Sequence, residues 1–175
     1  GVQCVVVGID SLRDDDGEPS VDGARQPEPD LTDVEELAQS YAAAGLQVDV
    51  TRVEASPSDL AGLPAPLALS AYRCVQESLT NVSHHSTATR AQVTLRTGGA
   101  QEERWLEVEV LDAGRPRPGT AGTGYGLRGI DERAGLHQGI AEVGPREHHP
   151  GWRVRVRFPI PQQQLTDPTD ERTLA

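Results

Sequence analysis

Apolar side chains recur at Leu67, Ala71, Cys74, Val75, Leu79 and Val82, with the small Ser78 in phase, which is the spacing of a helix that buries one face. Pro66 fits the first turn of that helix, after a turn-rich stretch holding Pro57, Gly62 and Pro64. Leu31, Val34, Leu37, Ala38 and Tyr41 predict another helix over 31–44, capped by Asp30 or by Thr32 with Glu35 three residues on, and ended by Gly45. Leu127, Ile130, Ala134 and either Leu136 or His137 predict a third over 127–138, ended by Gly139. Apolar and polar residues alternate over 46–53, 91–97, 105–111, 140–143 and 152–158, the period of half-buried strands. Gly98-Gly99-Ala100 joins two of these runs as a hairpin, and the polar stretch 144–151 joins the last two.

That order of elements predicts a two-layer α/β sandwich, with a mixed, mostly antiparallel sheet and its helices on one face. Arg153, Arg155 and Arg157 alternate along the final strand and predict that the other face is partly solvated. Residues 14–30 are rich in Asp, Glu, Pro and Gly and read as a linker. Residues 31–160 form the domain, and 161–175 read as a disordered tail. Residues 2–9 are β-branched and favour a strand by propensity. The run 112–126 holds Gly114, Pro116, Pro118, Gly122, Gly124 and Gly126, and predicts a loop that moves over a ligand.

Charge narrows the partners. The 175 residues carry a formal net charge of −11, and every basic residue is Arg. Such a balance repels nucleic acid and anionic membrane, while leaving room for a small anion in a local pocket. No apolar run approaches the 18 residues of a membrane span, and no basic leader precedes a short apolar stretch. The chain therefore reads as cytoplasmic, either by itself or as the cytosolic part of a membrane-bound protein. Without a Met, and starting at Gly1, it reads as a fragment. Cys4 and Cys74 match no metal or redox spacing, and Cys74 falls on the buried arc.

The outer arc of the long helix is less ordinary. Glu77 and Asn81 stand one turn apart, with Arg73 and His84 on the same side. Each alone is as well explained by a solvated helix face, and Asp112 alone by a turn. In order, however, Glu77 and Asn81 on a helix, Asp112-Ala113-Gly114 after a strand, and Gly124-Tyr125-Gly126-Leu127 opening a helix resemble the ATP-binding catalytic domain of sensor histidine kinases, a member of the Bergerat fold group. The wording YRCVQESLTNVSHHS and GYGLRGIDERAGLHQG is most similar to the subfamily paired with NarL-type response regulators. The resemblance runs from about Leu31 to Pro159.

It implies ATP and Mg2+ as cofactors. Asn81 would be the magnesium ligand, a neutral oxygen donor beside a triphosphate. Glu77 would hold metal-bound water or assist proton removal, and His84 and His85 would join the nucleotide set. Asp112 would accept from the adenine amino group, with Gly114 admitting the base. Gly122, Gly124, Gly126 and Leu127 would offer phosphate the N–H groups of a helix start, with Arg115, Arg117 and Arg128 as nearby positive charge. It also implies, as partners, a dimerisation domain carrying the phosphoacceptor histidine and a NarL-type regulator, with residues 1–13 as the last piece of the dimerisation helices in place of a strand. The sequence departs from the family at Ala113, where a second acidic or Asn residue is common, at Pro116, where a glycine is, and at His84, where Lys or Arg is. An imidazole carries less charge than an ammonium at neutral pH, so phosphate would be held less tightly. None of His84, His85, His137, His148 and His149 has the context of the phosphoacceptor, and the pair His148-His149 lacks further ligands for a metal. Two alternatives stay open: a degenerate interaction module on the same fold, and an anti-sigma-type serine kinase.

Overall fold

In the computed structural model of the chain, residues 28–56, 59–100, 103–119 and 125–161 are described. Expectations for residues 1–27, and for the tail beyond residue 161, lie outside them. The first element is a 3-10 turn, Leu31–Asp33, running into helix α1, Val34–Ala43. Asp30 Oδ1 accepts from the Thr32 N–H at 2.6 Å, and Asp33 Oδ2 accepts from the Asp30 N–H at 2.8 Å, a reciprocal box. With Asp30 as the cap, and not Thr32, the box partner three residues on is Asp33 in place of Glu35. Glu35 instead takes both the Nε and an Nη of Arg52, at 2.8 and 2.6 Å.

The chain continues through β1 (Gln47–Val53), α2 (Ala65–His85), β2 (Arg90–Gly98), β3 (Trp105–Asp112), α3 (Tyr125–Leu136), β4 (Ile140–Pro145) and β5 (Trp152–Pro159). The strands form one sheet in the order β1-β2-β3-β5-β4. β1 and β2 run parallel because α2 crosses over between them, and the other pairs are antiparallel. This is the mixed, mostly antiparallel sheet that the patterning predicts.

One face of the sheet is dry. Val93 and Leu95 of β2, Leu106 and Val108 of β3, and Val156 and Phe158 of β5 are buried against the helices. Every residue assigned to the inner arc of α2 is buried, from Leu67 to Val82. Burial pushes the Cys74 thiol up to about 12, with the negative Glu77 adding to that and Arg133 opposing it. Ile130 and Ala134 bring α3 onto the same core.

α3 starts two residues before the apolar period suggests, so Gly126 lies within its first turn. At its other end Gln138, with φ 56, takes the left-handed position, and the Gly139 N–H donates to the Ala134 carbonyl at 2.8 Å. The terminating residue is thus Gln138, one before the expected glycine. Gly139 is small for another reason: a Cβ there would come within 2.6 Å of the Arg157 carbonyl. Of the two candidates for the inner side, His137 is the one that turns in, edge-on to Phe158 at 5.9 Å with Nε2 2.8 Å from Ser70 Oγ. Leu136 is 77% exposed.

The outer face of the sheet is partly solvated, with half-exposed arginines over a buried carboxylate. Cross-strand register sets Glu107 of β3 directly between Arg96 of β2 and Arg157 of β5. Arg96, Arg155 and Arg157 each reach the Glu107 carboxylate at 2.7 Å, and Glu107 is left 1% exposed. Arg157 also lies over the Trp105 ring, 4.3 Å from its centre. Burial would raise the Glu107 pKa, but hydrogen bonds from Arg157 and Arg155, and their charge, hold it below the ordinary glutamate value.

Candidate functional site

The outer side of α2 and the start of α3 meet at Glu77, Asn81 and Gly126. The absence of a side chain at Gly126 is what lets them meet. A methyl group there would overlap the Glu77 carboxylate and stand 3.2 Å from both polar atoms of the Asn81 amide. The Asn81 Nδ2 is buried with no hydrogen-bond partner among the described residues, and so is His85 Nδ1 one turn on. Polar atoms left in this state usually wait for a water, an ion or a ligand. His84 is exposed in the last turn of α2, its ring edge-on to His85 at 6.2 Å.

Helix α2 ends at Ser86, whose backbone is extended (φ −111, ψ 152). Here the end of β3 arrives. Asp112 is 4% exposed, and its Oδ1 accepts from Ser86 Oγ and from the Gly114 N–H, each at 2.8 Å. A Cβ on Gly114 would overlap Ser86 Oγ, so close packing fixes that glycine. From beyond the strand, Arg146 Nη1 donates to the Asp112 carbonyl at 3.2 Å, and Gly151, at φ 106, packs against the same carbonyl.

The first half of the glycine- and proline-rich run is fastened. The Thr87 N–H donates to the Arg115 carbonyl at 2.9 Å, and the Arg117 N–H to the His85 carbonyl at 2.7 Å. The Arg115 N–H donates to Thr87 Oγ1 at 2.9 Å. Ser86 and Pro116 form the bridge between these contacts. Because the donors are Arg115 and Arg117, on either side of Pro116, the missing N–H of the proline costs nothing. Residues 113–117 are thus strapped to the end of α2. Gly122 and Gly124 lie outside the described residues.

The structure thus brings together Glu77, Asn81 and Gly126 in one group, and Asp112 and Gly114 in another, both along the C-terminal half of α2. Leu127 is half-buried and packs its side chain on the core. Arg128 pairs with Glu132 at 2.9 Å, and Arg117 Nη2 donates to the Ser86 carbonyl at 3.0 Å, so both already serve local contacts. Ser86 was not foreseen. Nor was Arg133, whose Nη1 is buried without a hydrogen-bond partner between α2 and α3. Two surface hollows lie elsewhere. One, of 640 Å³, is lined by Glu28, Asp30, Asp33 and Glu36 and would repel an anion; the other, of 570 Å³, lies between Ala42, Gln47 and Arg90. Among the described residues no group of three His, Cys, Asp or Glu side chains could hold a metal, His148-His149 included, and no helix is long and apolar enough to cross a membrane.

The five-stranded mixed sheet with its helices on one face is a fold shared with solved histidine kinases. The histidine kinase domain of the blue-light-activated histidine kinase of Erythrobacter litoralis superposes with a TM-score of 0.51 at 21% identity, over 73% of this chain and 59% of that one. A second structure of that kinase gives 0.52 at 22% identity, over 75% and 45%. Full-length ShkA in complex with AMPPNP gives 0.51 at 15% identity, over 75% and 29%. In sequence, 91 residues are 35% identical to the sensor histidine kinase LiaS of Bacillus subtilis, covering 51% of this chain. The chain spans about a quarter (24%) of the length of that relative. No protein-family model matches the chain.

Proposed function

We propose that the chain binds Mg-ATP along the C-terminal half of α2 and acts as the catalytic domain of a sensor histidine kinase. The carrying observation is the junction of α2 and α3, where Gly126 lets the start of α3 pack directly on the Glu77 carboxylate and beside Asn81, whose buried Nδ2 has no hydrogen-bond partner among the described residues. The similarity to LiaS supports the same reading. In it, Asp112 accepts from the adenine amino group, Gly114 admits the base, and the start of α3, with Gly126 and Leu127, faces the phosphates. His84 and His85 line the phosphate side of α2.

The donor set suits magnesium. A carboxamide and a carboxylate one helical turn apart are hard oxygen ligands, few enough to leave most of an octahedron to water and phosphate. Asn81 would hold the ion and Glu77 its water; when bound, the ion would neutralise charge on the triphosphate. Glu77 would take the proton of the attacking imidazole as the γ-phosphoryl group leaves ADP for that nitrogen. The acceptor histidine would belong to a dimerisation helix, and the phosphoryl group would pass on to a NarL-type response regulator in the cytoplasm.

Titration with a fluorescent ATP analogue, with and without Mg2+, tests the reading: binding that strengthens with Mg2+ is expected, and none at millimolar nucleotide would sink it. Asp112→Asn should weaken ATP by about tenfold, the size of one charged hydrogen bond, and leave tripolyphosphate within twofold. Equal losses for both ligands would remove Asp112 from the base site.

A further inference from the structure

Asp112 is a base-reading group only if its carboxylate is held in one orientation, and the side chain that holds it is Ser86. We propose that Ser86 is the positioning residue that makes the site prefer a 6-amino purine nucleotide to a 6-keto one. The inference rests on the Mg-ATP reading above and adds to it the origin of base selectivity.

The direction of each hydrogen bond is fixed by the donors available. The Ala88 N–H donates to Ser86 Oγ at 3.1 Å, so a lone pair of that oxygen is taken. The hydroxyl proton is then directed at Asp112, whose Oδ1 lies 2.8 Å away. The Gly114 N–H reaches the same Oδ1, also at 2.8 Å. Both donors fall on one oxygen, which leaves Oδ2 as the acceptor that a base would meet. An amino group at C6 of adenine donates to such an oxygen. A keto group at C6 of hypoxanthine or guanine sets acceptor against acceptor, with a buried acceptor left unpaired.

That discrimination is as sharp as the carboxylate is rigid. Ser86 is itself locked. Its N–H donates to the Val82 carbonyl at 3.0 Å, its backbone pairs with Pro116, and it is 8% exposed. Without its hydroxyl, Oδ1 keeps only the Gly114 donor, and the carboxylate gains freedom to rotate and admit a bridging water to a keto base.

The test uses the 175-residue chain with Mg2+ and three probes, ATP, ITP and tripolyphosphate, measured by calorimetry on wild type, Ser86→Ala, Ser86→Thr and Asp112→Asn. Wild type should favour ATP over ITP. Ser86→Ala should cut that ratio about tenfold with tripolyphosphate affinity within twofold, and Ser86→Thr, which restores the hydroxyl, should return it. A ratio unchanged in Ser86→Ala, or a parallel loss of all three probes, overturns the proposal. If Ser86→Ala does not fold, Ser86→Cys keeps a side chain there with a weak donor, and an unaltered ratio in it overturns the proposal equally. Should Asp112→Asn abolish the preference while Ser86→Ala keeps it, only the role of Ser86 fails. Should wild type bind no nucleotide, the Mg-ATP reading itself fails.

Discussion

Replacing Glu107 by Gln keeps the volume of the side chain and removes its charge, leaving Arg96, Arg155 and Arg157 converging on a neutral amide. Removing one partner of a buried ion pair costs about 3–5 kcal/mol when both partners are desolvated. Here the carboxylate is 2% exposed, but the three arginine side chains are 40, 33 and 46% exposed, so water takes up part of the loss. The expected destabilisation is about 2 kcal/mol, which for a domain of this size lowers the Tm by about 6–8 °C. The pH dependence has a definite sign. The folded-state pKa of Glu107 is depressed, so its stabilisation is fully present above the unfolded glutamate value and is lost as pH falls through the lower folded one. Thermal melts of wild type and Glu107→Gln should differ by a constant gap from pH 7 down to about 5, and the gap should narrow as pH falls below the ordinary glutamate value. A gap under about 1 °C at pH 7, or one that fails to narrow on acidification, would refute the idea that this carboxylate is held by its charge.

Gly126→Ala separates the site from the scaffold. Within a helix the change favours folding by about 1 kcal/mol, yet the new methyl must displace the Glu77 carboxylate. The Mg2+-dependent part of ATP affinity should fall about fivefold while the Tm stays or rises, and a Tm loss with unchanged affinity would contradict this placement. Ile130→Ala, at a fully buried position of α3, should cost about 3 kcal/mol in urea unfolding, and a loss below about 1 kcal/mol would mean that α3 is not packed on the core as described.

Periodicity made much of this protein legible. The inner arc of α2 could be read residue by residue because a 3.6-residue period fixes which side chains share a face, and the alternation in β2, β3 and β5 did the same for the sheet. What could not be read depends on who arrives from elsewhere in the chain. Alternation puts Glu107 on the outer face, but only register reveals that three guanidiniums cover it. Leu136 and His137 are both near the inner phase of α3, and the choice between them is made by Phe158 and Ser70. Ser86 follows the last residue of a helix and carries no periodic signal. Its importance exists only because β3 ends beside it. Pro116 departs from the family's glycine, yet its missing N–H is not needed, because the strap is held by Arg115 and Arg117 on either side.

The parallel pairing of β1 has a consequence for folding. The other neighbouring strands adjacent in sequence, β2 with β3 and β4 with β5, close through short turns and are cheap in chain entropy. Gln47 must instead find Arg90 across the whole of α2, a separation like that between β3 and β5. That pairing is a late, expensive contact unless the intervening segment is already helical and docked. The helix that carries Glu77, Asn81 and the approach to Asp112 is therefore also the closing link of the sheet. A chain that has completed its β1 edge has, in the same event, set in place the α2 half of its candidate site.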